Sequence, residues 1–132
     1  TLCRTGARRA RGKKRIRALA AWHFKGKNGG QDYCKACPSR CEECAYVVNR
    51  PQTADGIAAW AAIENLSGQL RCNTVAIACA DGTVKLISLA HGLDFAAAIA
   101  FAESMDAANH LFLDLLPEIE AIMVRGHNSL NT

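Results

Sequence analysis

TVAIACA, residues 74–80, then Asp81-Gly82, then TVKLISL, residues 83–89, is the stretch that decides the kind of fold this chain can have. Both runs are β-branched and apolar, and both are bounded by turn residues. Asp-Gly is a favoured dipeptide of two-residue type I′ turns, so residues 74–89 are expected to form one antiparallel hairpin. A lone hairpin is marginal in water and must lean on other elements. The rest of the chain offers helices for that purpose.

Upstream, Asn49-Arg50-Pro51 is a stop, because Pro51 biases Arg50 away from helix. Thr53 can then cap a helix running to about Arg71. Ala59, Ala62, Ile63, Leu66 and Leu70 fall on one stripe of it, with Trp60 at the edge. Downstream, Gly92 supplies a turn and Asp94 an N-cap for a helix to about Asp106. Phe95, Ala98, Ile99, Ala102 and Met105 share its face, and His91 reads as a loop histidine. A last helix is expected from about Ala108 to Arg125, with Leu111, Phe112, Leu115, Leu116, Ile119, Ile122 and Met123 inward. Pro117 falls on its polar face and predicts a bend, or a fresh start capped by Asp114. Glu118 and Glu120 are two apart and do not face each other, so they read as solvated surface. Gly126 is expected to close the helix.

The expected fold class is mainly α: a small domain of about three helices with one β-hairpin, preceded by a basic N-terminal arm and a Cys-rich knuckle. The segments are residues 1–30, 31–48, a body at 49–126 and a tail at 127–132. Residues 1–30 carry ten Lys/Arg and no acid, whereas residues 31–132 carry six Lys/Arg and all twelve acids. Ile16, Leu19, Ala20 and His23 would share one side if residues 7–24 were helical. Self-repulsion among Arg8, Arg9, Arg11, Lys13, Lys14, Arg15 and Arg17 would fray that part in isolation. Against a polyanion the same charges become phosphate contacts. The two readings are a solvated tail and an arm that binds DNA or RNA.

Cys34, Cys37, Cys41 and Cys44 have the spacing C-x2-C-x3-C-x2-C. Each C-x2-C pair can give zinc two thiolates. The spacer between the pairs is far shorter than in ordinary fingers, and Pro38 stiffens it. A four-thiolate zinc site, a mixed site using His23, Cys3 or Cys72, and a metal-free loop all stay open. An iron–sulfur reading has the spacing but lacks the surrounding cofactor contacts. Seven cysteines, four of them crowded together, fit a reducing compartment better than a disulfide scaffold. No apolar run is long enough to span a bilayer, and the apolar face of a basic helix over residues 7–24 is thin for lying on one, so no membrane partner is expected. No secretory h-region follows the basic start, although the opening Thr1 leaves an upstream segment open. Phosphate-loop, zincin and nucleophile-elbow motifs are missing, and the expectation is that the chain is not an enzyme.

Four features form a further pattern: Asn49-Arg50-Pro51, the Trp60 helix followed by Gln69-x-Arg71, Gly92-Leu93-Asp94-Phe95-Ala96-Ala97, and Leu115-Leu116-Pro117-Glu118-Ile119-Glu120. Over residues 49–126 this resembles small tail-assembly proteins of long-tailed bacteriophages. Leu70 stands where those proteins have an aromatic residue, and the apolar 74–89 segment replaces a glycine-rich approach to Gly-Leu-Asp. The resemblance implies a non-enzymatic assembly role on phage tail proteins, in the host cytoplasm or the virion, with no catalytic residues. Partner contacts are then expected from Trp60, Leu66, Phe95 and Phe101. The alternative is a zinc-stabilised nucleic-acid-binding protein using the basic segment.

Overall fold

The structure, a computed structural model, describes residues 2–26, 29–30 and 44–131, with the backbone alone for residues 2–10 and Ala45. In chain order the elements are α1 (Leu2–His23), α2 (Ala45–Val48), α3 (Ala54–Ile63), a 3-10 turn (Leu66–Gln69), β1 (Leu70–Ala78), β2 (Val84–Leu93), α4 (Phe95–Ser104) and α5 (His110–Ser129). The mainly helical character with one antiparallel hairpin is as expected, but two parts of the expected class are corrected. Five α-helices are present among the described residues rather than about three. The basic segment is also not an arm preceding the body. Ile16, Leu19, Ala20 and His23 of α1 are all buried, and they lie at helical spacing on one face. The cysteine knuckle of that fold class cannot be placed: Cys34, Cys37 and Cys41 lie outside the described residues, and Cys44 just precedes α2.

α1 is held by α5, which runs beside it in the same direction. Lys13 Nζ is 3.3 Å from Asp114 Oδ2. One turn on, Arg17 grips both carboxylate oxygens of Glu118, with Nη2 to Oε1 at 3.1 Å. Two basic residues four apart on one helix thus meet two acids four apart on the other. The self-repulsion that would fray isolated α1 is offset along this seam. Further along, a Cβ on Gly126 would lie 1.7 Å from the Phe24 carbonyl oxygen. Gly126 therefore does not end the helix, as its residue type suggests. It sits within α5 and lets the chain after α1 approach closely. Pro117 is also inside α5, on its exposed side, where the carbonyl it leaves unbonded can be hydrated. The helix starts instead at Asn109, whose Oδ1 accepts from the Phe112 amide at 2.9 Å.

Beneath this seam, Ile16, Leu19, Ile63, Leu66, Phe112, Leu115 and Ile119 are fully buried and form the main core. Burying a side chain of Phe112's size contributes about 1.5–3 kcal/mol. α3 is capped as expected, with Thr53 Oγ1 accepting from Gly56 N at 3.0 Å. It ends at Ile63 rather than near Arg71. Asn65 Nδ2 donates to the Ala61 carbonyl at 2.8 Å, satisfying one terminal acceptor, and the chain tightens into the 3-10 turn. Leu70 and Arg71 then join the sheet, opposite Leu93 and Gly92. Helix α4 begins after Asp94, whose carboxylate accepts from Ala97 N at 3.1 Å.

Candidate functional site

The hairpin is longer than its apolar runs. β1 pairs with β2 from Leu70↔Leu93 to Ala78↔Val84, with a bulge between Arg71 and Cys72 that leaves His91 as the extra residue. Its turn is not type I′. Cys79 N donates to Thr83 O at 2.8 Å and Gly82 N to Cys79 O at 3.1 Å, and only Gly82 has positive φ, at 85°. The loop is therefore three residues closed by a left-handed glycine. Asp81 Oδ1 accepts from Thr83 N at 3.0 Å and from Thr83 Oγ1 at 2.6 Å. Those two hydrogen bonds, the hydroxyl first, hold the Asp81 carboxyl below its ordinary pKa.

Among the described residues, burial in this ribbon is confined to its root. Ala90 and Leu93 are buried, while β1 is exposed from Arg71 to Ala78. Opposed residues share a face. Ala76 with Leu86 and Ala78 with Val84 make one face near the tip; Val75 with Ile87 and Ile77 with Lys85 make the other. Val75 is 37 % exposed, Ile77 44 %, Val84 64 % and Leu86 68 %. A solvated two-stranded ribbon normally turns one polar face to water. Here both faces carry exposed apolar side chains over the outer half, with Lys85 as the one charge among them.

The root is held by the end of α5. Asn128 accepts from Ala90 N at 2.8 Å and donates to Ala90 O at 3.0 Å, and Asn131 Nδ2 donates to Ser88 O at 2.8 Å. Glu120 Oε2 accepts from Leu93 N at 2.9 Å. Glu120 is thus a tie between helix and strand, not solvated surface. Arg71 pairs with Asp94 at 3.1 Å, and the Asp94 carboxyl is held below its ordinary pKa by the Ala97 amide first and Arg71 second.

The residues singled out from sequence fall elsewhere. Leu66 is fully buried and Trp60 is 8 % exposed, so both are core residues, with Trp60 reaching the surface as part of a shallow cavity wall. Both belong to the buried cluster, with Trp60 packed against the rings of His23 and Tyr46. Phe95 is 38 % exposed, and Phe101 is half-buried against the core. Among the basic residues, Lys13 and Arg17 are engaged by α5, and Arg15 Nη1 donates to Val48 O at 3.0 Å. Arg11 and Lys14 are exposed, whereas the side chains of Arg8 and Arg9 lie outside the described residues. Cys44, Cys72 and Cys79 form no disulfide, and Cys72 Sγ is 3.8 Å from His127 Nε2. No group of three or more metal-ligating side chains exists among the described residues.

His23, an alternative ligand on sequence grounds, sits in an aromatic nest. Its ring is edge-on to Phe24 at 4.8 Å and to Trp60 at 5.5 Å between centroids. Its Nδ1 is hydrogen-bonded to the Tyr46 hydroxyl. Nε2 is buried with no hydrogen bond of good geometry, although the Glu64 backbone carbonyl acts on it. Burial pushes the imidazole pKa down, and the Glu64 carbonyl opposes this only in part. His23 therefore serves as a neutral core residue. Beside the nest, Leu19, Tyr46, Arg50, Pro51, Trp60 and Glu64 line a shallow cavity of about 320 Å³.

No helix among the described residues is long and apolar enough to cross a membrane. Residues 89–130, less than half of the chain, match the Family of unknown function (DUF7697). No curated protein and no solved structure matches the chain.

Proposed function

We propose that this chain is a non-enzymatic assembly protein that acts through protein–protein contacts, with phage tail proteins as its partners. The observation that carries the reading is the exposed apolar outer half of the hairpin, Val75, Ile77, Val84 and Leu86. Large apolar side chains left exposed on both faces of a ribbon, on an otherwise well-packed small domain, mark a contact element in want of a partner. The resemblance of residues 49–126 to tail-assembly proteins supplies the class of partner. The test is co-expression of the full chain with the tail tube protein and the tape-measure precursor of the same phage. Capture of either by the native chain, lost on Val84→Asp with Leu86→Asp, is the expected result. Equal capture by both forms, or by neither, would remove the hairpin from this role.

A second reading keeps a narrower observation: Arg11 and Lys14 stay exposed on α1. They would bind DNA or RNA phosphates, with zinc on Cys34, Cys37, Cys41 and Cys44 ordering the neighbouring chain and doing no chemistry. Deleting residues 1–30 is no test, because it strips Ile16, Leu19 and Ala20 from the core. Charge reversal at Arg11 and Lys14 is cleaner, with salt-dependent DNA binding as readout. Native mass spectrometry with and without acid reads the zinc directly.

A further inference from the structure

The backbone of β1 carries a pattern that the side chains alone do not reveal. Ladder pairs in an antiparallel sheet alternate between those that exchange hydrogen bonds and those whose N–H and C=O point outward. Ala90 uses both its backbone groups on Asn128, so it points outward, and so does Ser88, whose carbonyl takes Asn131. Their partners on β1 are Cys72 and Thr74, and the alternation continues to Ala76 and Ala78. These four residues present an outward row of donors and acceptors along an exposed strand.

The two edges of the ribbon differ. On β2, Asn128 and Asn131 close the inner half and Lys85 adds a charge near the tip. Such devices keep strand edges from pairing. On β1 no comparable tie is found among the described residues, and Cys72 to Ala80 contains no charged residue and no proline. The one charge at its base, Arg71, is already paired with Asp94.

We propose that β1 pairs edge to edge with β1 of a second copy, giving a two-fold dimer with a continuous four-stranded antiparallel sheet. This rests on the reading of the hairpin as a contact element and names one of its partners. An axis through Val75 sets Cys72 against Ala78 of the second copy and Thr74 against Ala76. That register uses all four outward residues, for about eight ladder hydrogen bonds. It also sets Val75 against Val75 and Asn73 against Ile77, with no charged pair opposed. Two copies of a chain with net charge +4 therefore meet along a neutral seam. With one open edge per chain, pairing closes on itself instead of propagating.

The experiment is sedimentation equilibrium on the full chain, with amide exchange. The native chain should be a dimer, with the Thr74 and Ala76 amides protected only when associated. Val75→Lys and Val75→Glu should each weaken the dimer by at least ~10-fold, since like charges then face each other across the axis. Mixing the two variants should restore it. Ala76→Pro should also yield monomer, because that N–H makes no bond within the hairpin. Unchanged helical circular dichroism shows that each variant is folded. A monomeric native chain, or a dimer untouched by these changes, overturns the proposal. If the native chain is monomeric yet tail proteins are captured through Val84 and Leu86, self-pairing fails and the assembly role stands. If the dimer forms but hairpin changes leave capture intact, the reverse holds.

Discussion

α1 and the hairpin invert the usual relation between composition and exposure. The segment from Arg8 to Arg17 is the most charged part of the chain, yet the helix containing it buries Ile16, Leu19 and Ala20 completely. Residues 74–89 are among its most apolar, yet most of their side chains are exposed. The difference lies in partners within the chain. α1 finds on α5 two acids at matching spacing and a stripe of large apolar residues. Among the described residues the hairpin finds helix partners toward its root, in Asn128, Asn131, His127 and Glu120. Composition sets what a segment needs; the availability of a complementary surface decides whether the need is met inside the fold.

The sharpest way to break this contrast is a pair of truncations. Phe112→Ala in the core should cost about 3–5 kcal/mol in urea unfolding. Leu86→Ala on the ribbon should stay within about 0.5 kcal/mol in the monomer. A large loss at Leu86 would mean that the hairpin is covered after all. Next comes Gly126→Ala, where the new methyl would meet the Phe24 carbonyl oxygen and force the chain after α1 away from α5. An overpacking cost of about 1–3 kcal/mol is expected. Gly68→Ala, with nothing within 4 Å of the added carbon, is its control.

The nest around His23 predicts a pH dependence. Its folded pKa lies below the unfolded value of about 6.5, because burial opposes the charged ring. Its contribution is therefore complete above that value and is lost as pH falls from there toward the lowered folded pKa, where the unfolded chain binds the extra proton. Urea midpoints of the native chain should fall across that window, and His23→Phe should remove this component. The smallest effect belongs to the charged seam. Arg17 and Glu118 are both largely exposed, so Arg17→Ala should cost only about 0.2–1 kcal/mol, less at high salt. The Glu118 carboxyl is held below its ordinary pKa, by hydrogen bonding to Arg17 first, so this small term is present above the unfolded value and is lost as pH falls through the folded one.

Much of the local structure is legible in the sequence. The inward face of α1, the caps at Thr53 and Asp94, and the existence of the hairpin follow from spacing and residue type. Where sequence reading fails, the cause is long-range contact. The basic charges read as an arm because Asp114 and Glu118 are about a hundred residues away, and no local rule pairs them. Trp60 and Leu66 form a visible stripe, but sequence does not say whether a stripe meets its own chain or another. Asn128 and Asn131 look like tail residues. Their role depends on a side chain matching a backbone 38 or more positions earlier, which leaves no periodic trace. Asp81-Gly82 is correctly a turn, yet its type depends on strand register, which the dipeptide alone does not fix.

The parallel seating of α1 on α5 also sets an order in time. During synthesis the apolar face of α1 emerges long before the helix that covers it, since Arg17 and Glu118 are separated by 101 positions. Contacts of such range slow folding and make it a late step. Until then, the positive charge along α1 discourages association between nascent chains. Lys13 and Arg17, which later pair with α5, thus belong first to a solubilising sheath, and this seam can close only after Glu118 has been made.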